Sequence, residues 1–269
     1  MIFRASCLGY AFTRDLREMR FKYQGSQIRG QQVYDQKGRP LPYADLPFSP
    51  NILGACKLVE GDFDDALHLM SLDITEERKR GQYPRKQVPI QSLPAQHARP
   101  AVYLAGPERW DADAAEQYAE MKRLCAHYGL DAVTPLDGTL PDEGTDRYAK
   151  AFQTFENNQH HIQQCDVVLA NLNDFHGWEP DSDTAFECGL GYILGKKLYG
   201  YMDNNCKMID RVPNFGEARE FRDQCGCNVE NFDYPINCMF AGSMPILGGS
   251  FEQVLKEVVE DLKKQEVLK

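Results

Sequence analysis

The chain has 269 residues with a formal net charge of −10, and 42% of its residues are hydrophobic and 26% charged. This composition can bury a sizeable core, which excludes a chain that is disordered throughout. The acidic balance argues against a nucleic-acid polymer as partner, because phosphate backbones are bound by clustered Lys and Arg.

The nine cysteines are an odd number scattered along the chain, which is typical of reduced thiols in a cytoplasmic protein. Cys225-Gly226-Cys227 is the only close pair, and its spacing matches neither a zinc knuckle nor a redox dithiol. No metal is expected there. The N-terminus carries no basic segment followed by a long apolar stretch, and no run of eighteen apolar residues occurs, so no targeting signal and no membrane partner are expected.

The first hundred residues predict an α+β extension without a chemical signature. Asp62 to Leu72 has helical spacing, whereas Gln24 to Pro50 carries Gly, Pro and aromatic residues at no clear period. Gln82 to Pro100 contains four prolines and predicts an extended linker. We therefore expect an N-terminal extension over residues 1–97 and a second domain over residues 98–269.

The second domain alternates apolar runs with amphipathic segments. The pattern predicts strands and helices in the order strand Ala101–Ala105, helix Asp113–Tyr128, strand Ala132–Thr134, polar loop Pro135–Arg147, helix Tyr148–Gln164, strand Asp166–Leu172, helix Thr184–Leu194, strand Lys197–Met202 and a closing helix Phe251–Lys264. The third strand is too apolar to have a solvated face, as in parallel sheets covered on both sides. The expected fold class is α/β, a doubly wound (Rossmann/flavodoxin-like) parallel sheet.

Ligands of such sheets bind beyond the carboxyl ends of the strands. After the first strand, Gly106 permits a close approach and Trp110 offers a surface for stacking on a planar base. Asp137 follows the second strand. The segment from Trp178 to Gly189 follows the third strand and is the richest in carboxylates. It begins as a loop and continues into an apolar helix.

Glu187 stands in the early part of that helix, among apolar residues. Ionised near a helix N-terminus, it could attack an oxocarbenium-like carbon, and Asp181 could accept hydrogen bonds from sugar hydroxyls. Asp183 taken alone is equally well explained as a helix cap. No histidine lies beside the carboxylates to complete a metal site, and His160 and His161 are better explained as structural residues.

The chain resembles the nucleoside 2-deoxyribosyltransferase family over about residues 100 to 265. The resemblance is carried by Val102-Tyr-Leu-Ala-Gly-Pro107, Gln164-Cys-Asp-Val-Val168, Glu179-Pro-Asp-Ser-Asp-Thr-Ala-Phe-Glu-Cys-Gly189 and Pro235-Ile-Asn-Cys-Met239. The third segment is the most restrictive, because an aspartate stands six residues before a helix glutamate followed by X-Gly.

The resemblance implies a retaining, ping-pong transfer of 2-deoxyribose between nucleobases, without a cofactor. Glu187 would be the nucleophile, Tyr103 would position it, and Asp166 would lie on the base side and assist protonation of the leaving group. Asp181 would hold the sugar hydroxyls. Asn237 would reach a neighbouring subunit's site in a homodimer or higher oligomer with shared active sites. The partners implied are deoxynucleosides and free nucleobases.

Two departures from the family pattern stand out: Asp183 replaces a usual glycine, and typical members lack the N-terminal extension. Two other functions remain open. One is N-glycoside hydrolysis of deoxynucleosides or their 5'-monophosphates, although Asp181 and Asp183 would repel a phosphate. The other is a non-catalytic nucleoside-binding module, because a fold alone does not determine function.

Overall fold

The computed structural model describes residues 9–30, 32–80, 97–138, 146–217 and 220–268, with the backbone alone for residues 77–80 and 217. The chain separates into two compact units. The first consists of Met1–Gln91 and Thr139–Asn157, and the second of Ser92–Gly138 and Asn158–Lys269. Residues 146–157 thus group with the N-terminal part of the chain.

The first unit contains both strands and helices. Its elements are β1 (Gly9–Thr13), α1 (Met19–Lys22), β2 (Gln27–Arg29), β3 (Gln32–Tyr34), α2 (Pro50–Ala55), β4 (Cys56–Glu60) and α3 (Phe63–Arg80). β1 pairs in parallel with β4, and β2 pairs antiparallel with β3. The helix predicted from Asp62 is α3, which continues beyond Leu72 to Arg80. Of the predicted linker, residues 82–96 lie outside the described residues.

The second unit contains most of the remaining elements. They are β5 (Ala101–Ala105), a 3₁₀ helix (Pro107–Trp110), α4 (Ala114–His127), β6 (Asp131–Val133), α5 (Arg147–Gln164), β7 (Val167–Asn171), α6 (Ser182–Ile193), β8 (Lys197–Met202), α7 (Met208–Arg211), β9 (Phe215–Glu217), β10 (Glu220–Arg222), α8 (Cys238–Ala241), β11 (Ile246–Gly248) and α9 (Phe251–Lys264). The boundary between the two units falls within α5.

The first half of α5 has its partners in the first unit. Arg147 donates from Nη1 to Glu18 Oε1 at 2.6 Å and to the Asp45 carbonyl at 2.7 Å. Gly54 lies so close to Phe155 that a Cβ on the glycine would stand 2.4 Å from the aromatic ring. This half of the helix is therefore packed against residues that come before residue 98 in the chain.

The second unit is built on a five-stranded parallel sheet in the order β11-β8-β7-β5-β6. The first strand of this sheet in the sequence is β5, and the next, β6, pairs with one of its edges. The chain then crosses over, and β7 pairs with the other edge of β5, so the direction of winding reverses between β5 and β7. The predicted doubly wound α/β fold is confirmed. The carboxyl ends of β5 and β7 form its topological switch point, where ligands of such sheets bind.

The core lies on both faces of this sheet, and alternate residues of β5 separate the two sides. Ala101, Tyr103 and Ala105 belong to the cluster that includes residues of α6, whereas Val102 and Leu104 belong to the cluster that includes residues of α4 and α9. Full burial of a large apolar side chain stabilises the folded state by about 1.5–3 kcal/mol relative to leaving that side chain exposed. Because the period of a strand is two residues, Tyr103 must point toward α6 when its neighbours point away.

The predicted strands and helices of this unit are all present, and their ends lie within two residues of the predicted ones. The short elements from α7 to β11 were not predicted, including β11, which completes the sheet beside β8. Three-residue strands are too short to express a period. Among the described residues, no helix combines the length and the apolar character needed to cross a membrane.

Candidate active site

Glu187 is buried in the second unit because α6 packs tightly on the sheet. The helix begins at Asp181, whose Oδ2 accepts from the Thr184 backbone N–H at 3.2 Å and thereby caps the first turn. The cap is thus Asp181 rather than Asp183. Further along, a Cβ on Gly191 would stand 2.9 Å from side-chain atoms of Val168 and Leu198, so the glycine allows the close approach. Glu187 is only 2% exposed.

Two side chains hold Glu187 by the same carboxylate oxygen. The Tyr103 hydroxyl donates to Oε1 at 2.8 Å, and Asn158 Nδ2 donates to Oε1 at 2.9 Å. Tyr103 comes from β5 and Asn158 from α5, so three separate segments meet at the switch point. Neither bond uses Oε2. These two bonds therefore fix the orientation of the carboxylate through Oε1 alone.

Asp181 and Asp183 add two more carboxylates to the buried start of α6, with exposures of 5% and 4%. Burial raises the pKa of Glu187 to about 8; the charge of Asp183 adds to this rise, while the Tyr103 hydrogen bond and the charge of Arg109 oppose it. Burial also raises the pKa of Asp181, and Asp183 raises it further. Perturbed carboxyls of this kind are frequent in active sites.

Arg109 and Trp110 follow β5 in the 3₁₀ helix. The guanidinium carbon of Arg109 lies 4.8 Å from the centroid of the Trp110 ring, within the range of a cation–π contact. The Nη1 atom of Arg109 is buried. Trp110 is half-buried, and it remains our prediction for the residue that stacks on the base.

Glu108 ties together the carboxyl ends of three strands. Its Oε1 accepts from Asn171 Nδ2 at 2.7 Å and from the Tyr201 hydroxyl at 3.1 Å, at the ends of β5, β7 and β8. Burial raises the pKa of Glu108, and the hydrogen bond from Asn171 opposes that rise. A Cβ on Gly106 would stand 2.0 Å from Glu108 Oε2. In the structure, Gly106 therefore makes room for the Glu108 carboxylate.

Replacing Gly106 by alanine is expected to push the Glu108 carboxylate out of this network, because the added methyl group has no space. The overpacking should cost about 1–3 kcal/mol, a fall of several degrees in Tm. Thermal unfolding followed by circular dichroism measures the change. Gly189→Ala is the matched control, since a Cβ at Gly189 on α6 meets nothing within 4 Å. An equal loss in both variants would contradict the assigned role of Gly106.

Asp166 does not join the cluster. It immediately precedes β7, and its Oδ2 accepts from the backbone N–H of Ala101 at 2.8 Å, at the first residue of β5. The amino and carboxyl ends of parallel strands lie at opposite edges of a sheet. Asp166 is therefore at the edge opposite the switch point, and the expectation that it protonates the leaving group is corrected to a structural role in pairing two strands.

Asp137 and Asn237 both make contacts that are structural in the single chain. Asp137 follows β6, and its two oxygens accept from the Thr134 backbone N–H at 2.8 Å and from Lys122 Nζ at 2.5 Å. Asn237 caps α8, and its Nδ2 donates to Glu179 Oε2 at 2.8 Å. Asn237 thus lies beside the loop that leads into α6. Their roles toward substrate remain predictions.

Sequence reasoning missed Asn158, which donates a hydrogen bond to Glu187, and Arg109, whose charge lowers the pKa of Glu187. Asn158 is on the buried stripe of α5, at helical spacing from Phe155 and Ile162, which are apolar. A polar residue on such a stripe is a signal that could have identified it. Arg109 is adjacent to Trp110 in the sequence, but no sequence signal connects it with α6. In the described part of the chain, no group of three or more His, Cys, Asp or Glu residues is arranged to hold a metal ion.

Comparison with known proteins agrees with this arrangement. Residues 102–239, just over half of the chain, match the family described as nucleoside 2-deoxyribosyltransferase. An uncharacterised protein of Schizosaccharomyces pombe is 26% identical over 193 residues, which cover 62% of this chain and 90% of that protein.

The solved structures that are similar to the chain include two deoxyribosyltransferases. A 2-desoxiribosyltransferase from Leishmania mexicana is 26% identical with a TM-score of 0.49, covering 60% of this chain and 97% of that one. A 2-deoxyribosyltransferase from Bacillus psychrosaccharolyticus is 20% identical with a TM-score of 0.38, covering 58% and 90%. Because the family match extends over residues 102–239, the chain belongs to the nucleoside 2-deoxyribosyltransferase family.

Proposed function

We propose that this protein transfers the 2-deoxyribosyl group from one nucleobase to another by a two-step reaction through an ester of Glu187. The observation that carries the proposal is a buried carboxylate at the switch point of the sheet, held through Oε1 by Tyr103 and Asn158. A nucleophile positioned in this way resembles that of a retaining glycosyl-transfer enzyme. The substrates proposed are deoxynucleosides and free nucleobases.

In the first step, Oε2 of ionised Glu187 attacks C1' of the deoxyribose while the bond between C1' and the base nitrogen breaks. The electron pair of that bond leaves with the base, which takes up a proton. Glu187 Oε2 is then bonded to C1', with the configuration inverted. Tyr103 and Asn158 keep Oε1 in place, so that the attacking oxygen does not rotate away from C1'.

In the second step, a nitrogen of another free base attacks C1' from the side that the first base left. The C1'–O bond breaks, Glu187 regains its carboxylate, and the incoming base loses one proton. The proton taken up in the first step is thus balanced in the second, and two inversions restore the β configuration. Water in place of the second base would give free deoxyribose.

Asp181 and Asp183 are proposed to receive the sugar hydroxyls. Asp181 uses Oδ2 to cap α6 through Thr184, and this leaves Oδ1 as an acceptor. Their negative charge at the start of α6 favours an uncharged hydroxyl over a 5'-phosphate, because like charges repel in a buried site. The proposed substrate is therefore the nucleoside rather than its 5'-monophosphate.

One incubation tests the proposed function. The purified protein is mixed with a deoxynucleoside, with or without a second free base, and the products are separated by chromatography. Exchange of the base with retained β configuration supports the proposal. Free deoxyribose that is insensitive to the second base identifies a hydrolase, and binding of the deoxynucleoside without any product identifies a binding module.

We further propose that Asn237 acts in the site of a second copy of this chain. If so, Asn237→Ala and Glu187→Ala chains, each inactive alone, would form mixed dimers with one site intact, and activity should partly return on mixing. The measurement is exchange before and after mixing, with subunit exchange followed by mass spectrometry of a heavy-labelled partner. Mixed dimers without activity would place the action of Asn237 within its own chain.

A further inference from the structure

The loop that leads from β7 into α6, residues 172–180 and named here the entry loop, ends directly before Asp181. Asp181 itself has an extended backbone and precedes the first residue of the helix. Its position therefore depends on the entry loop as well as on α6. Loops are more mobile than the helices and strands that they connect unless contacts hold them. The residues that hold the entry loop thus bear on sugar binding at Asp181.

The Arg211 side chain binds both ends of the entry loop. It comes from α7, in the excursion of residues 203–245 between β8 and β11, and only 4% of the side chain is exposed. Nη1 donates to Asp174 Oδ1 near the beginning of the loop. Both Nη atoms donate to the Trp178 carbonyl near its end, at 3.3 Å. One buried guanidinium therefore closes the loop.

The same guanidinium is anchored to the core of the second unit. Nη2 also donates to the Pro235 carbonyl at 2.9 Å. The next residue, Ile236, is 1% exposed and belongs to the core cluster that contains Tyr103 and Cys188. Because that cluster packs β5 against α6, residue 236 is fixed relative to both elements. Arg211 thus joins the entry loop to a segment that the core holds in place.

Two further hydrogen bonds act on the end of the entry loop, but each is more local. Asn237 Nδ2 donates to Glu179 Oε2 at 2.8 Å, and the Phe175 backbone N–H donates to the Glu179 carbonyl at 2.9 Å. The first bond involves Glu179 alone, and the second lies within the loop. Arg211, by contrast, binds the two ends of the loop and the Pro235 carbonyl at once.

We propose that Arg211 is a positioning residue for sugar binding: its buried guanidinium fixes the entry loop to the core and thereby sets the place at which Asp181 receives a sugar hydroxyl. The proposal rests on the role of Asp181 in the proposed function. Arginine suits this task because its planar guanidinium offers several donors in a fixed geometry and keeps its charge when buried. A lysine offers one compact charge and would not bind three acceptors in the same arrangement.

The test measures how strongly nucleoside binding depends on the sugar hydroxyls. Calorimetry compares the dissociation constants of 2'-deoxyadenosine and thymidine with those of their analogues that lack the 3'- or the 5'-hydroxyl. The parent is Glu187→Gln, in which the bond to the base should not break. There, removal of the hydroxyl that Asp181 receives should weaken binding about ten-fold or more. When Arg211→Met is added, the complete nucleoside should bind more weakly, and the difference between nucleoside and analogue should shrink toward none.

Three comparisons control for a general loss of structure. Lys207→Met is the matched control, because it removes an exposed cation of the same excursion, which pairs with Asp233. In Asp181→Ala the hydroxyl difference should already be lost, and adding Arg211→Met should not change it further. Circular dichroism checks that each variant is folded. If Arg211→Met does not fold, Arg211→Lys and Asp174→Asn, which each remove part of the same contacts, take its place.

A hydroxyl difference that keeps its parent value in Arg211→Met overturns the inference, whatever happens to the overall affinity, and leaves the proposed function intact. A parent that binds no deoxynucleoside, together with a wild type that exchanges no bases, overturns both. Loss of the hydroxyl difference in Arg211→Met but not in Lys207→Met supports the inference. It does so even if the wild type exchanges no bases, in which case the proposed transfer alone is wrong.

Discussion

Replacing Glu187 by glutamine is expected to lower base exchange by about a thousand-fold or more, because the amide cannot form the ester on which the two-step route depends. The geometry should survive, since glutamine has the same shape and can still accept from Tyr103 and Asn158. Exchange is measured by chromatography of the bases. Glu252→Gln is the control, as Glu252 is an exposed carboxylate of α9 that pairs with Lys256. Near wild-type exchange in Glu187→Gln would remove Glu187 as nucleophile.

The same variant should unfold at a higher temperature than the wild type at neutral pH. Burial raises the pKa of Glu187 from 4.5 to about 8 in the folded protein, so the folded state holds a proton that the unfolded state has lost. Stability therefore falls as the pH rises from about 4.5 to about 8, and glutamine is free of this loss. Thermal melts at pH 5 and pH 8 should differ in the wild type by more than in Glu187→Gln. The buried glutamate required by the proposed reaction would then lower the free energy of unfolding at neutral pH.

Replacing Tyr103 by phenylalanine is expected to reduce exchange by about ten- to a hundred-fold, because a hydrogen bond to a charged group in a buried site is worth about 1.5–3 kcal/mol. The loss should appear mainly in kcat, since Tyr103 holds Glu187 and not the substrate. It should be smaller at higher pH, where Glu187 ionises without the help of the hydroxyl.

Asn158→Ala removes the other hydrogen bond to Oε1, so a double-mutant cycle with Tyr103→Phe measures whether the two donors act together. Tyr199→Phe is a matched control. It also removes a hydroxyl that donates to a carboxylate, Asp261, at 2.6 Å, but in the part of the core that packs α9. A comparable loss of exchange in Tyr199→Phe would mean that the Tyr103 effect comes from weakened packing.

The parts of the fold that could be predicted are those in which local pattern and tertiary contacts agree. β5 and β7 are apolar runs because both of their faces are covered, and α6 is apolar because it lies on the sheet. The burial of such segments can be predicted from their own apolar sequence pattern. The meeting of Tyr103 with α6 follows from strand alternation, so the pair at the centre of the site was accessible from sequence pattern together with resemblance.

What could not be predicted depends on neighbours that are distant in the sequence. The position of Asp166 was an exception, since the strand predicted from Asp166 to Leu172 already placed this residue at the amino end, opposite the edge where ligands bind. The buried stripe of α5 could single out Asn158, but its bond to Glu187, 29 residues later, depends on how α5 packs. The effect of Arg109 on Glu187 depends on charge and burial, which sequence pattern does not express.

The position of the unit boundary inside α5 has a consequence for how this protein can be divided. Asn158, which holds the proposed nucleophile, directly follows a helical segment whose partners are Glu18, Asp45 and Gly54. A fragment starting at residue 98 would keep every residue of the site but leave the first half of α5 without those partners. A shortened chain should therefore keep the residues that pack against the first half of α5.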